Sequence, residues 1–185
     1  MPNNHSSKPE ENFNKKELIL YKKLKLFLTG AQSIVILAVG NEMRRDDAIG
    51  IEIVNELRNI ALLKDSKIKI IIAGTTPENV TRPIESWNPS HLLIIDAVDM
   101  GENPGEIELI QMDDISNVTV STHRMSLTLL NKYLTSKLDL EIKLLGVQIK
   151  DVSFGDRLSS ELINIPLRIA KLLSSVLNEI SQQSN

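Results

Sequence analysis

The 185-residue sequence contains no cysteine, and this absence excludes several kinds of chemistry. Without cysteine there is no disulfide framework, no thiol nucleophile and no thiolate metal site. Any metal that this chain contacts must therefore be contacted through carboxylate, imidazole or water. Aromatic residues are also scarce, at 3% of the chain, so isoleucine, leucine and valine must build the core.

The sequence also has no strong charge excess and no long apolar run. A net charge of −3 gives no basic footprint for nucleic acid. No apolar run reaches the about 18 residues that a membrane-spanning helix needs. The N-terminal region does not read as a signal peptide, because Glu10, Glu11 and Glu17 precede or enter its apolar part and lysines interrupt it. We therefore expect a cytoplasmic protein with neither nucleic acid nor membrane among its partners.

The order of apolar segments predicts an α/β fold with a mostly parallel sheet covered by helices on both faces. We predict one domain at residues 33–182, preceded by an N-terminal extension at 1–32 in which a disordered tail leads into an amphipathic helix. Strands are predicted at 34–39, 67–73, 91–98, 106–111 and 140–149, and helices at about 14–29, 47–61, 126–136 and 159–180, with a further helix after Pro77.

One stretch organises the rest of the chain. Residues 34–39 form an apolar β-branched run, which Gly40 and Asn41 end as a turn. A charged loop follows, and Asp46 or Asp47 is placed to cap the next helix. Two carboxylates are thus held at the carboxyl end of a strand, where open α/β sheets bind ligands. The alternative is a plain turn and a plain helix cap; the glycine fingerprint of a dinucleotide site is absent.

Three polar residues follow strand ends and are candidates for one site. Asp47 follows the first strand, Asp96 ends the third, and His123 precedes a helix, with Asp99 as a substitute for Asp96. If the first and third strands are neighbours, the carboxylates approach each other and require a proton or a cation between them. Two carboxylates and an imidazole suit a borderline divalent ion. The alternative is that Asp96 accepts backbone N–H groups and His123 is a satisfied core histidine.

The other polar residues considered as candidates are not assigned to this site. His5 and His91 are interpreted as incidental, the first in the tail and the second at a strand entrance. Ser121 and Thr122 are interpreted as capping groups, because no G-x-S-x-G elbow is present to present a serine nucleophile.

Four segments together resemble a known family, the hydrogenase maturation proteases. They occur in the family's order and are VGNEMRRDDAIG at 39–50, LIIDAVDMGENPGEI at 93–107, STHRMSL at 121–127 and LGVQI at 145–149. The resemblance covers about residues 33–180 and is strongest to the branch that serves formate-hydrogenlyase-type and related archaeal hydrogenases. Ala38 and Ala48 depart from it, since many members have glycine at both positions.

The resemblance implies an endopeptidase, of the kind grouped with aspartyl-type peptidases, on a twisted five-stranded sheet between helices. Such an enzyme removes the C-terminal extension of a nickel-iron hydrogenase large-subunit precursor after nickel insertion. The residues that match its metal-contacting and catalytic positions are Asp47, Asp96 and His123. Nickel is then carried by the substrate and is not a permanent cofactor.

Several questions stay open from the sequence. The resemblance leaves undecided whether nickel serves only recognition or also polarises the scissile carbonyl, and Asn41 is a candidate orienting or oxyanion group. A nickel-binding chaperone or sensor that cuts nothing is the alternative function, and a nucleotide-dependent Rossmann-like enzyme is a second. We expect a monomer, because no surplus apolar face is evident in the sequence.

Overall fold

A computed structural model describes residues 13–60, 66–114 and 123–183. The strands are β1 Ile34–Val39, β2 Ile68–Gly74, β3 His91–Val98, β4 Ile107–Gln111 and β5 Glu141–Gln148. The helices are α1 Lys15–Leu28, α2 Ile49–Ile60, α3 Thr81–Trp87, α4 Arg124–Lys137 and α5 Ile165–Gln183. None of the helices in these described ranges combines the length and the apolar character that crossing a bilayer demands.

The five strands form one sheet in the order β2-β1-β3-β5-β4. β1 is parallel to both β2 and β3, β3 is parallel to β5, and only the edge strand β4 runs antiparallel. The predicted mostly parallel α/β fold is confirmed. From β1 the chain first adds β2 on one side and later β3 on the other, so the carboxyl edge between β1 and β3 is a topological switch point.

Helices cover both faces of the sheet because the central strands are apolar on both sides. Ile36 and Ala38 of β1 pack in a cluster with α1, α2 and α5, whereas Leu37 and Val39 pack in a second cluster with α3 and α4. All six residues of β1 and all eight of β3 are buried, which is the pattern of strands at the centre of a covered parallel sheet.

Gly50 brings α2 directly onto the strands at the switch point. A Cβ atom on this residue would lie 2.5 Å from the Ile95 carbonyl oxygen and 2.6 Å from the Val39 carbonyl oxygen. Neither oxygen can move away, because both belong to the strand backbone. Only glycine therefore allows the helix to begin this close to the ends of β1 and β3.

The predicted N-terminal helix is present as α1 and packs on α5. Asn14 and Glu17 form a reciprocal capping box at its start. Tyr21 and Lys25 both contact the Glu179 carboxylate of α5. Residues 1–12, where we predicted a disordered tail, lie outside the described part of the chain.

The predicted start of the last helix is wrong. We placed it at Ser159, but α5 begins at Ile165, and residues 160–164 form turns. Pro166 explains the position, because a proline without an N–H group fits only in the first turn of a helix. Ser159 is instead hydrogen-bonded to the Asp46 carboxylate, as described below.

Candidate active site

Asp96 and His123 meet at the switch point. Asp96 lies near the carboxyl end of β3 and is fully buried; His123 immediately precedes α4 and is 7% exposed. The His123 Nδ1 atom is 3.3 Å from the Asp96 Oδ1 atom. Both belong to the sheet face that α4 covers, since Asp96 alternates with Ile95 and Ala97, which pack on the opposite face.

Asp47 lies in the short 3-10 helix Arg45–Ala48 that leads from β1 into α2, and it is buried. The loop before it closes on itself: the Asn41 N–H donates to the Asp47 carbonyl at 3.1 Å, and a Cβ on Gly40 would lie 2.1 Å from that oxygen. The charge of Asp47 acts on the His123 imidazole. The structure therefore brings Asp96 and His123 into direct contact and places Asp47 near enough for its charge to act on the same imidazole.

The carboxylates control the protonation of His123. Burial alone lowers the pKa of the imidazole, but the hydrogen bond and charge of Asp96, followed by the charges of Asp47 and Glu78, raise it further than burial lowers it. The net pKa lies above its usual value of 6.5. A histidine held among carboxylates in this way is suited to receive a cation or to retain a proton.

Asp46 has a different role from its neighbour. The prediction that one of the two is the helix N-cap is wrong, because both lie inside the 3-10 helix Arg45–Ala48, whose N-cap is Arg44 and which leads directly into α2. The Asp46 carboxylate is fully buried and accepts hydrogen bonds from the Lys150, Asp151 and Ser159 N–H groups, at 2.9, 2.9 and 2.7 Å. The Ser159 hydroxyl donates a fourth, at 2.8 Å. Asp46 therefore ties the loop after β5 to the loop after β1.

Asp99 and Asn41 follow the ends of β3 and β1, and their side chains form hydrogen bonds to residues other than Asp96 and His123. The Asp99 carboxylate accepts hydrogen bonds from Gln148 Nε2 at 3.0 Å and from the Gly101 N–H at 3.1 Å, and these bonds hold its pKa below the usual value. The Asn41 side-chain oxygen accepts the Met43 N–H at 3.0 Å and shapes the loop.

The remaining candidate residues lie away from the site or in segments that the structure does not describe. His91 is at the amino end of β3, with Nδ1 3.0 Å from the Ser90 hydroxyl. His5, Ser121 and Thr122 belong to residues that the structure does not describe.

Sequence reasoning missed Glu78. This residue follows β2 in the 3-10 helix Pro77–Val80 and adds its charge to those acting on His123. The rule that singled out Asp47 and Asp96, namely that polar residues after parallel strands share an edge, applies equally to a glutamate placed after β2.

Within residues 13–60, 66–114 and 123–183, no group of three or more His, Asp and Glu side chains is arranged to hold a metal ion by itself. The site instead offers the Asp96 and His123 pair, with Asp47 near enough for its charge to act on the imidazole. Such a set is suited to an ion that arrives with other ligands.

The fold and the site define an α/β protein of one mostly parallel sheet, with a buried carboxylate and imidazole in contact at its switch point. The sequence profile of the hydrogenase maturation proteases matches residues 51–179. The chain belongs to the hydrogenase maturation protease family and is an endopeptidase that processes a hydrogenase precursor. Asp96 and His123 lie within the matched range, and Asp47 lies four residues before it.

Two relatives and one solved structure illustrate the similarity. A Methanocaldococcus jannaschii member of the family is 34% identical over 173 residues, covering 84% of this chain and 99% of the relative. The hydrogenase 3 maturation protease of Escherichia coli is 38% identical over 121 residues, covering 65% of this chain and 75% of that enzyme. The crystal structure of the NiFe hydrogenase maturation protease HycI from Thermococcus kodakarensis superposes with a TM-score of 0.77 at 26% identity, covering 84% and 99% of the two chains.

Proposed function

We propose that this enzyme removes the C-terminal extension of a nickel-iron hydrogenase large-subunit precursor after nickel has been inserted. Asp47, Asp96 and His123 would recognise the nickel that the precursor carries. The observation that carries the proposal is the 3.3 Å contact between His123 and Asp96 at the switch point, with the Asp47 charge acting on the same imidazole. The Thermococcus kodakarensis protein, described as acting in NiFe hydrogenase maturation, supports the choice of metal.

The chemistry of the three side chains supports nickel as part of the substrate. Imidazole and carboxylate are suitable ligands for a borderline divalent ion, and the Asp96 contact orients the His123 ring as a carboxylate orients many metal-binding histidines. A precursor without nickel would leave these side chains without the ion that they are suited to bind. The enzyme would thus distinguish the nickel-loaded precursor from the nickel-free form by binding it more tightly.

The same contact would place the scissile peptide. Holding the precursor by its nickel converts cleavage into a reaction between groups already in position. The attacking water adds its oxygen to the scissile carbonyl carbon, the C–N bond breaks, and the leaving amine takes a proton. Either nickel polarises the carbonyl or a carboxylate accepts the proton of the water.

Cleavage of nickel-loaded and nickel-free precursor tests the proposal. We expect the wild-type enzyme to shorten only the loaded form and Asp47→Ala to lose about a hundredfold or more in rate. Asp99→Ala is the matched control, since this carboxylate lies at the same sheet edge but is exposed and bonded to Gln148. Equal rates for wild type and Asp47→Ala would reject nickel contact; binding without shortening would favour the chaperone alternative.

We also propose that the enzyme works in the cytoplasm as a monomer. Fractionation of cells that produce the protein tests the first part. Light scattering of the purified protein, with and without precursor, measures the second.

A further inference from the structure

Two loops beside the site are joined along their backbones. The first, residues 40–47, contains Asp47, and the second, residues 150–157, follows β5. The Gly155 N–H donates to the Met43 carbonyl at 2.9 Å, the Arg45 N–H donates to the Gly155 carbonyl at 2.9 Å, and the Asp46 N–H donates to the Asp151 carbonyl at 3.1 Å. Arg44 and Gly155 therefore pair like residues of neighbouring parallel strands.

Side chains reinforce this junction. Arg45 extends across Gly155, where an added Cβ would lie 3.1 Å from the Arg45 Cγ atom, and its Nε atom is 3.3 Å from Asp151. Arg44 donates from Nε to the Val152 carbonyl at 3.0 Å. Arg45 also has a φ of 43°, a conformation that a non-glycine residue adopts only where its surroundings enforce it. The 150–157 loop is thus fixed relative to Asp47.

Two apolar side chains project from this fixed backbone. Met43 precedes Arg44 and Phe154 precedes Gly155, so the two residues lie beside each other at the bridge, where the Gly155 N–H donates to the Met43 carbonyl. Phe154 is 78% exposed, and Met43 is also exposed. A single exposed apolar residue needs no explanation, but two neighbours held in place beside a reactive site form a small contact surface.

Helix α4 supplies a second pair. Met125 lies two residues after His123 and is 80% exposed, and Leu129 lies one turn later and is also exposed. Residues four apart share one face of a helix, so these side chains form a short apolar stripe that leads away from the imidazole. We refer to Met43, Phe154, Met125 and Leu129 together as the apolar rim.

We propose that the apolar rim docks onto the folded body of the protein substrate. The rim side chains project outward, so they require a concave pocket on the partner, as a folded domain provides. An extended peptide would instead seek an exposed sheet edge or a groove on the enzyme. Each half of the rim lies close along the chain to a site residue, Met43 four positions before Asp47 and Met125 two positions after His123, so a precursor bound at the site would come next to the rim. The identity of that body as a hydrogenase large subunit rests on the proposed function.

Steady-state cleavage and direct binding of the full precursor test the rim. We expect Phe154→Ser and Met125→Ser each to raise KM and the dissociation constant about tenfold and to leave kcat within about twofold, because a contact made equally in ground and transition states affects binding alone. Leu26→Ser is the matched control: Leu26 is 80% exposed but lies on α1, which covers the other face of the sheet. Unchanged thermal unfolding of all three variants verifies that folding is intact.

The two measurements separate this proposal from the preceding one. If precursor binds but is never shortened, the proposed function fails, while a tenfold weaker binding of Phe154→Ser still supports the rim. Equal binding by Phe154→Ser and Leu26→Ser overturns the rim whatever the cleavage result. Flotation with vesicles that contain anionic lipid is the third arm: loss of flotation in Phe154→Ser, with normal precursor binding, would assign the rim to a membrane surface and overturn the proposal.

Discussion

His91 and His123 are buried to nearly the same degree, 9% and 7% exposed, at opposite edges of the sheet. Burial lowers the pKa of His91, and the nearby charge of Glu141 offsets this only in part. At His123 burial also lowers the pKa, but Asp96 and the more distant carboxylates raise it above 6.5. The surroundings of the two imidazoles, and not their burial, therefore separate a packing residue from a candidate site residue.

The strongest test of this comparison removes each imidazole in turn. We expect His123→Gln to reduce precursor cleavage by about a hundredfold or more, because the amide keeps polarity but loses the nitrogen ligand and the Asp96 pair. His91→Gln should leave the rate within about twofold, since His91 contacts Ser90 and the Phe27 ring at the amino edge, opposite the candidate site. Similar losses in both variants would contradict the comparison.

The adjacent buried carboxylates Asp46 and Asp47 extend this comparison, because Asp46 stabilises the fold whereas Asp47 is a candidate site residue. Asp46→Ala leaves three backbone N–H groups without their acceptor, so we expect the free energy of unfolding in urea to fall by about 3 kcal/mol. Ser159→Ala removes only one of the four hydrogen bonds and should cost about 1 kcal/mol. Asp47→Ala should slow cleavage by about a hundredfold or more at a smaller loss of stability than Asp46→Ala.

The dependence of stability on pH should differ in sign between the two histidines. His123 has a raised pKa, so its stabilisation is complete below pH 6.5 and is lost as the pH rises through the folded-state pKa. His91 has a lowered pKa, so its contribution is complete above pH 6.5 and is lost as the pH falls through the folded-state pKa. Urea midpoints should therefore be measured from about pH 8 down to about pH 5. As the pH falls, His91→Gln should become more stable relative to the wild type, and His123→Gln should become less stable relative to the wild type.

The smallest expected effect is that of substituting Glu78, and it concerns the pKa of His123. Glu78→Gln should lower the pKa of His123 slightly, because Glu78 is the weakest of the charges that raise it. Glu78 is exposed, so added salt should reduce the difference between variant and wild type. Titration of the His123 ring protons by NMR measures both effects, and the His91 resonances in the same spectra serve as the reference.

The central strands could be predicted from the sequence with correct bounds. Residues 34–39 and 91–98 are continuous apolar runs that end at glycine or at polar residues, and β1 and β3 have the same limits. The contact between Asp96 and His123 was expected from the sequence in part: Asp96 ends a parallel strand, whereas His123 was chosen only as a histidine in a loop before a helix.

The separate roles of Asp46 and Asp47 could not be predicted. Local sequence treats both as equivalent caps, whereas Lys150, Asp151 and Ser159 lie more than 100 positions away and bond to only one of them. The start of α5 was missed partly for the same reason, since Ser159 is held by Asp46. Pro166, by contrast, was a local signal that identifies where the helix begins.

Helix α1 has a practical consequence for handling the protein. Its Tyr21, Leu24 and Leu28 side chains are fully buried in the cluster that contains α5, and Arg168 of α5 pairs with Glu17 at 2.8 Å. A truncated version that starts at β1 would uncover this apolar surface in solution and favour aggregation. Affinity tags for purification are therefore best added ahead of residue 13 and left attached to the intact helix.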